Sequence, residues 1–259
     1  MRALFTAATG MNAQQTRTDT IANNIANVNT TGFKKARVDF QDLFYETIAA
    51  PGSQDASGTT LPTGIQVGHG VRLASAGRIM TGGDPVNTDQ PLDMRIGGEG
   101  FFQIDKPTGE VLYSRAGAFT LNQNGDVVTP EGYPLSPNLN IPTGTTDITI
   151  SSDGTVNGSL AGTQTNIGQI DLVRFSNPAG LQALGGNFFA ETLASGTPEV
   201  GTPDQNGFGA INQRSLENSN VNVAEELIQL ILAQRAFEMN SRVIRAGDEM
   251  LQTVGTLTR

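Results

Sequence analysis

Two stretches of the chain carry apolar residues at seven-residue spacing, one near each end. In the first, Leu4, Met11, Thr18 and Ile25 share one position of the repeat, and Ala7, Gln14, Ile21 and Val28 share the other. The spacing predicts a helix over 3–29 with a narrow stripe that polar residues interrupt. Asn29-Thr30-Thr31-Gly32 ends it, because Gly accepts the left-handed conformation that closes a helix and Thr prefers extended backbone. The second stretch has a sharper start. Asn218-Ser219-Asn220 offers capping oxygens, Glu225 and Glu226 fall in the first turns, and no Gly or Pro interrupts before Gly247. Val223, Leu230, Phe237, Ile244 and Leu251 recur every seven residues, flanked by Leu227, Ile228, Ile231 and Leu232, which predicts a coiled-coil-like seam. An isolated amphipathic helix is marginal in water. Each terminal helix is therefore expected to pair with the other and with neighbouring copies.

The pattern between them is different. From Lys34 to Gly83 little clear period emerges: the polar run Pro51-Gly52-Ser53-Gln54-Asp55-Ala56-Ser57-Gly58 reads as an exposed loop or extended connector, and Thr59 to Leu73 offers only weak strand alternation. Short β-prone segments follow at 101–104, 112–113, 118–121, 126–128, 148–150 and 170–173. Asn124-Gly125 and Asp153-Gly154 supply the positive φ angles of tight hairpin turns between them. The expected class is α+β: a helix within 1–33, a connector over 34–83, a β-rich domain over 84–215 and a helix within 216–259.

Composition sharpens this. Hydrophobic residues make up 37% of the chain, with Gly 31 and Pro 12, which favours a thin or divided core built on turns and short strands. A net charge of −9 gives no cationic surplus to neutralise phosphates or anionic headgroups, so neither nucleic acid nor membrane is an expected partner. With Cys 0, disulfides, thiolate zinc sites and cysteine nucleophiles are excluded. The segment MRALFTAATGMNAQQ lacks the continuous apolar run of a cleaved signal, so any export is expected to use another route.

Candidate chemistry is sparse. His69 has no second imidazole to share a metal with and reads as a surface or interface residue. Asp84, Asp89, Asp93 and Glu99 cluster in sequence, but their surroundings are turn-like and a solvated turn is expected. Asn122-Gln123-Asn124-Gly125-Asp126 lacks the ordered carboxylates of a calcium loop. Gly97-Gly98-Glu99-Gly100 is followed by Phe101-Phe102 instead of the Lys-Ser/Thr and helix of a phosphate cradle. No catalytic residue, cofactor, metal or small-molecule substrate is expected.

The segment Ile21-Ala22-Asn23-Asn24-Ile25-Ala26-Asn27-Val28-Asn29-Thr30-Thr31-Gly32-Phe33-Lys34-Lys35 closely resembles the N-terminal motif of the bacterial flagellar rod and hook family. Ser219-Asn220-Val221-Asn222-Val223-Ala224-Glu225-Glu226-Leu227, continuing through Gln234 to Asn240, resembles the family's C-terminal helix. Gly98 to Ile104 and Tyr113 to Phe119 resemble its shared β domain. The stretch from Tyr45-Glu46-Thr47-Ile48 through Pro51-Gly52 to Leu61-Pro62-Thr63-Gly64 and Gly68 looks like a segment peculiar to distal-rod members.

The resemblance implies a self-assembling, non-enzymatic subunit of a helical tube, with paired termini as its inner layer. Such a subunit forms the distal drive shaft of the basal body and transmits motor torque to the hook. Implied partners are the chain itself, the proximal rod proteins, the hook protein, the P- and L-ring proteins and the flagellar type III export apparatus. The implied location spans periplasm to outer membrane. Expected assembly contacts are Leu4, Met11, Ile21, Asn24, Ile25, Asn27, Val28, Val223, Leu227, Leu230, Phe237, Ile244 and Leu251, with asparagines hydrogen-bonding across subunits. Tyr45, Pro51, Leu61, Pro62 and Gly64 are the expected rod-specific positions. Alternatives are a proximal rod or hook subunit of the same family, an adhesive surface fibre, or a secreted hydrolase using Asp89 or Asp93.

Overall fold

A computed structural model describes residues 2–52, 63–160 and 162–257. It is α+β, with one long helix near each end and a β-rich middle. The chain forms two compact units: Met1–Ile25, Ala36–Gly77 and Val223–Arg259 make one, and Ala26–Lys35 with Arg78–Asn222 makes the other.

The first unit holds α1 (Arg2–Ala26), α2 (Val223–Leu257) and four strands, β1 (Ala36–Asp42), β2 (Tyr45–Ala49), β3 (Ile65–Gly68) and β4 (Val71–Arg78). The described parts of the stretch expected as an extended connector are thus a paired ribbon, and most of the polar run 51–58 lies outside the described residues. β1 pairs with β4, and β2 runs antiparallel to β3. The Leu43 N–H donates to the Gly70 carbonyl at 2.8 Å and the His69 N–H to the Phe44 carbonyl at 3.2 Å, carrying the ladder across the break between the two pairs. No residue of the four strands is fully buried. A two-stranded ribbon with so little burial is marginal alone and depends on packing against something else.

α2 runs straight through Gly247, where the sequence suggested an interruption. A mid-helix glycine costs about 1 kcal/mol relative to alanine. A Cβ at Gly247 would lie 2.5 Å from Leu4 Cδ2, so any larger residue there makes the Leu4 side chain shift.

The second unit is a β domain whose central sheet has the order 182–185, 188–190, 111–114, 101–105, 172–174, 199–201, with 135–136 also pairing with 101–105. Because successive strand residues point to opposite faces, Phe102 joins a core of Met94, Ile96, Phe119, Leu135, Leu172 and Ile211. Its neighbour Phe101 joins a second cluster with Tyr113, Val173, Phe175, Leu181 and Phe189. The sheet is therefore buried on both sides, the divided core that the composition suggested. Both expected hairpin turns are present: Gly125 and Gly154 each have φ 85° and sit between antiparallel strands. One expectation fails. Asp93 is only 7% exposed and bridges Ala118 instead of lying in a solvated turn, because the flanking Leu92 and Met94 are core residues that draw it inward.

Candidate assembly interface

α1 and α2 touch at four points along their length. Leu4 meets Gly247, Gly10 meets Asn240, the Arg17 guanidinium donates to Gln229 Oε1, and Asn24 Nδ2 donates to Glu226 Oε2 at 3.2 Å. As the number rises on α1 it falls on α2, so the helices run antiparallel. A Cβ at Gly10 would sit 2.8 Å from Asn240 Nδ2, which makes this a close approach like that at Gly247.

On α2, Glu226, Ala233, Asn240 and Gly247 recur every seven residues; three of them meet α1 and Ala233 is fully buried. Leu230 and Ile244 are half-buried, and the apolar pattern did not single out Ala233 or the polar and glycine positions. The missing signal was the other position of the heptad, held by small or hydrogen-bonding side chains that hydropathy does not count. On α1, Ala7 and Ile21 are buried and Leu4, Met11 and Ile25 are half-buried, while Val28, also half-buried, lies in the turn beyond the helix end at Ala26.

Asn24 behaves differently from the expectation that it bonds across subunits. Its side chain is buried, and within its own chain Nδ2 donates to the Ala36 carbonyl at 2.9 Å while Oδ1 accepts from the Ala36 N–H at 2.9 Å. A carboxamide matches a peptide group donor for acceptor, so Asn24 clasps Ala36 within the chain and still has a second N–H for Glu226. Asn27 Oδ1 accepts from the Thr30 hydroxyl at 3.1 Å, part of the turn that closes the helix.

A second apolar face of α2 is left open. Leu227, Ile228, Ile231, Leu232 and Met239 are each more than a third exposed, as are Val223 and Phe237. Beyond Gly247, α2 continues over residues 248–257, about 15 Å of helix. Leu251 and Val254 extend the same heptad there and are exposed. The ribbon adds to this surface: Phe44 is 90% exposed, and Tyr45, Ile48 and Ile65 are also open. Asp42 beside the Tyr45 hydroxyl raises its pKa above the ordinary tyrosine value. His69 Nδ1 lies 3.1 Å from the Phe44 carbonyl, and the Arg2 guanidinium pairs with Glu46 at 2.7 Å. Pro51 is exposed, and a Cβ at Gly64 would lie 2.7 Å from Pro51 Cδ, so glycine is needed at that approach. Leu61 and Pro62 lie outside the described residues.

The remainder of the N-terminal motif folds in the β-rich unit. Gly32 has φ 70° and its N–H donates to the Glu217 carbonyl at 2.8 Å. A Cβ there would meet Ala116 N at 2.6 Å, so backbone freedom and space both demand glycine. Lys34 is fully buried and its ammonium pairs with the Glu217 carboxylate while donating to the Thr81 carbonyl at 2.7 Å. Burial pulls the Lys34 pKa down, and Glu217 opposes that pull. The Asn220 side chain accepts from the Lys35 N–H at 2.7 Å and donates to the Ile79 carbonyl at 2.9 Å. Motifs from opposite ends of the sequence thus lock together by hydrogen bonds.

Among the described residues no group of three or more His, Asp or Glu side chains is arranged to hold a metal, and no helix is long and apolar enough to cross a membrane.

Comparison with known proteins agrees with this architecture. Residues 4–34 match the family described as flagella basal body rod protein, residues 95–158 the flagellar hook protein FlgE/F/G D1 domain, and residues 212–257 the flagellar basal body rod FlgEFG protein C-terminal family. A flagellar basal-body rod protein FlgG of Caulobacter vibrioides is 49% identical over 260 residues, covering 99% of each chain. FlgG of Agrobacterium fabrum is 48% identical over 98% of each chain, and FlgG of Bacillus subtilis 39% identical over the whole of both. These relatives are structural flagellar proteins. The chain belongs to the FlgG family of flagellar basal-body rod proteins.

Proposed function

We propose that this protein is the repeating subunit of the flagellar distal rod, a tubular polymer that carries motor torque to the hook. The observation that carries this reading is the open apolar surface of α2. A single chain covers one seam with α1 and leaves Leu227, Ile228, Ile231, Leu232, Leu251 and Val254 in water. Contiguous apolar surface of this kind marks an interaction site, and a second copy of the same helix pair supplies a matching stripe. Coiled-coil-like packing of α1 and α2 then forms the inner layer of the polymer, with Leu4, Met11, Ile21 and Ile25 on one helix, Val28 just past its end, and Val223, Leu230, Phe237, Ile244 and Leu251 on the other.

The segment from Tyr45 to Gly64 bridges adjacent copies in this scheme and stiffens the tube, which accounts for its exposed Tyr45 and Ile48. The polymer joins the proximal rod proteins at one end and the hook protein at the other, turns within the P- and L-rings between periplasm and outer membrane, and receives subunits from the type III export apparatus.

Electron microscopy of basal bodies from a strain lacking the gene, against the complemented strain, tests the role. Rods that stop short of the outer ring and bear no hook are expected, whereas complete rods with hooks overturn it. Leu251→Asp tests the interface without disturbing the four α1–α2 contacts: rods are expected to fail while the β domain stays folded, since an unpaired charge cannot be buried on the seam. Phe237→Asp is expected to do the same. Deleting residues 45–64 is expected to cost the rod its straightness, and a straight, rigid rod from that variant refutes the bridging role.

A further inference from the structure

The β-rich unit contains a cavity of about 490 Å³ walled by Gly82-Gly83, the Gly98-Glu99-Gly100 turn and the side chains of Arg95 and Arg115. Arg115 is only 5% exposed; its Nη1 pairs with Glu217 Oε2 at 3.5 Å, and its Nε has no hydrogen-bond partner among the described residues. Arg95 Nε is a second buried donor without an acceptor among them. Buried polar groups are almost always satisfied, and unsatisfied charged donors are especially costly. Two guanidinium groups with buried, unpaired Nε donors on one cavity suit an anionic acceptor.

The charge balance agrees. The cavity is lined by Arg95, Arg115 and Arg174 against Glu99 and Glu217. Lys34 pairs with Glu217 from behind, and Glu199 holds Arg174 at 2.9 Å. With both partners included, four cations face three anions, leaving one positive charge in surplus. The floor is apolar: the Arg115 guanidinium lies 5.2 Å from the centroid of the Phe101 ring, and Met80 and Pro178 complete the lining. Arginine forks match the planar geometry of a carboxylate, and an apolar floor suits the aliphatic stem behind it.

We propose that this cavity binds a carboxylate, supplied in the assembled polymer by an Asp or Glu side chain of a second copy of this chain. The chain carries 25 Asp and Glu residues against 16 Lys and Arg, so a neighbouring copy presents acidic side chains in excess. The acceptor takes the Arg115 Nε and Arg95 Nε protons in hydrogen bonds and neutralises the surplus charge. The carboxylate site stands on the cavity alone, whereas its source rests on the polymer reading above.

The test is a titration of the full-length chain with sodium acetate, followed through the arginine Nε signals in NMR spectra, with sodium chloride as the ionic-strength control. Saturable shifts of Arg115 and Arg95 are expected, and Arg95→Gln should weaken acetate binding about tenfold, the loss typical of one charge-assisted hydrogen bond. Arg95 carries the test because Arg115 stands against buried Glu217 and its variants can fail to fold. Arginine signals that stay still, or acetate affinity unchanged in Arg95→Gln, mean that solvent satisfies the donors, and overturn the site. Basal bodies then identify the source. Fewer or shorter rods in Arg95→Gln than in wild type support a neighbour's carboxylate. Normal rods from a variant that has lost acetate binding assign the site to a free anion and overturn the neighbour. Failure of the polymer reading is separate, because wild-type complementation then yields no change in the rod whatever acetate does.

Discussion

The Asn24 side chain and the Ala36 peptide exchange two hydrogen bonds of 2.9 Å each, pinning the start of the ribbon to the helix that precedes it. The same Nδ2 also reaches Glu226 Oε2 at 3.2 Å, so one buried carboxamide ties α1, β1 and α2 together. The intervening residues 26–35 belong to the other compact unit. The chain therefore leaves this unit and returns to it within a few residues, and Asn24 holds both ends of that excursion.

Replacing Asn24 by Ala is expected to strip the Ala36 peptide of both partners. Leaving a buried donor or acceptor unsatisfied costs about 1–3 kcal/mol. Exchange of the Ala36 amide hydrogen should accelerate at least about tenfold, since 1.4 kcal/mol corresponds to that factor. Wild-type exchange in the variant would show that the clasp contributes nothing.

Gly247→Leu sets helix propensity against packing. Leucine gains up to about 1 kcal/mol over glycine in a helix interior, but the added side chain collides with Leu4, and overpacking costs about 1–3 kcal/mol. Destabilisation is expected, read as faster amide exchange along the N-terminal half of α1. Gly255→Ala is the control: a Cβ there meets nothing within 4 Å, so only the propensity gain remains and α2 should become more protected.

Lys34→Met removes one partner of a fully buried ion pair and leaves Glu217 charged and half-satisfied. The loss expected from breaking such a pair is about 3–5 kcal/mol. The Lys34→Met, Glu217→Gln double variant should recover part of it, because the orphaned charge is gone. Calorimetric melting of the three proteins measures this, and a double variant no better than the single one would refute the coupling.

Tyr113 provides a pH signature for the core. Burial, aided by the Glu191 carboxylate, pushes its pKa up to about 12 from an ordinary value of 10.0. Between those values the unfolded chain has released a proton that the folded chain still holds, so stability falls as pH rises through 10 toward 12. The loss attributable to this group is of order 2–3 kcal/mol. Chemical denaturation across that range should show a shallower decline in Tyr113→Phe than in wild type, and parallel curves would exclude the effect.

Much of the architecture was legible beforehand because it depends on short-range rules. Seven-residue spacing announced both helices, and Asn124-Gly125 and Asp153-Gly154 announced hairpins through the positive φ that glycine supplies. The ribbon over 36–78 was not legible, because its strands bury almost nothing and so carry no alternation of apolar and polar residues. Asp93 was misread for a related reason: its burial follows from the core positions of Leu92 and Met94, which local composition does not reveal. The arginine cavity was invisible too, since Arg95, Arg115 and Glu217 are far apart in the chain and each alone looks like a surface charge.

The amino-acid sequence by itself determined that two amphipathic helices bracket a β-rich middle, since periodicity and turn chemistry act between residues a few positions apart. Only the tertiary structure decided which face of each helix is spent inside the chain and which stays open. That choice depends on where Gly10 and Gly247 let backbones approach and where Asn24 finds a peptide to satisfy it, contacts between residues distant in the chain that no local pattern encodes.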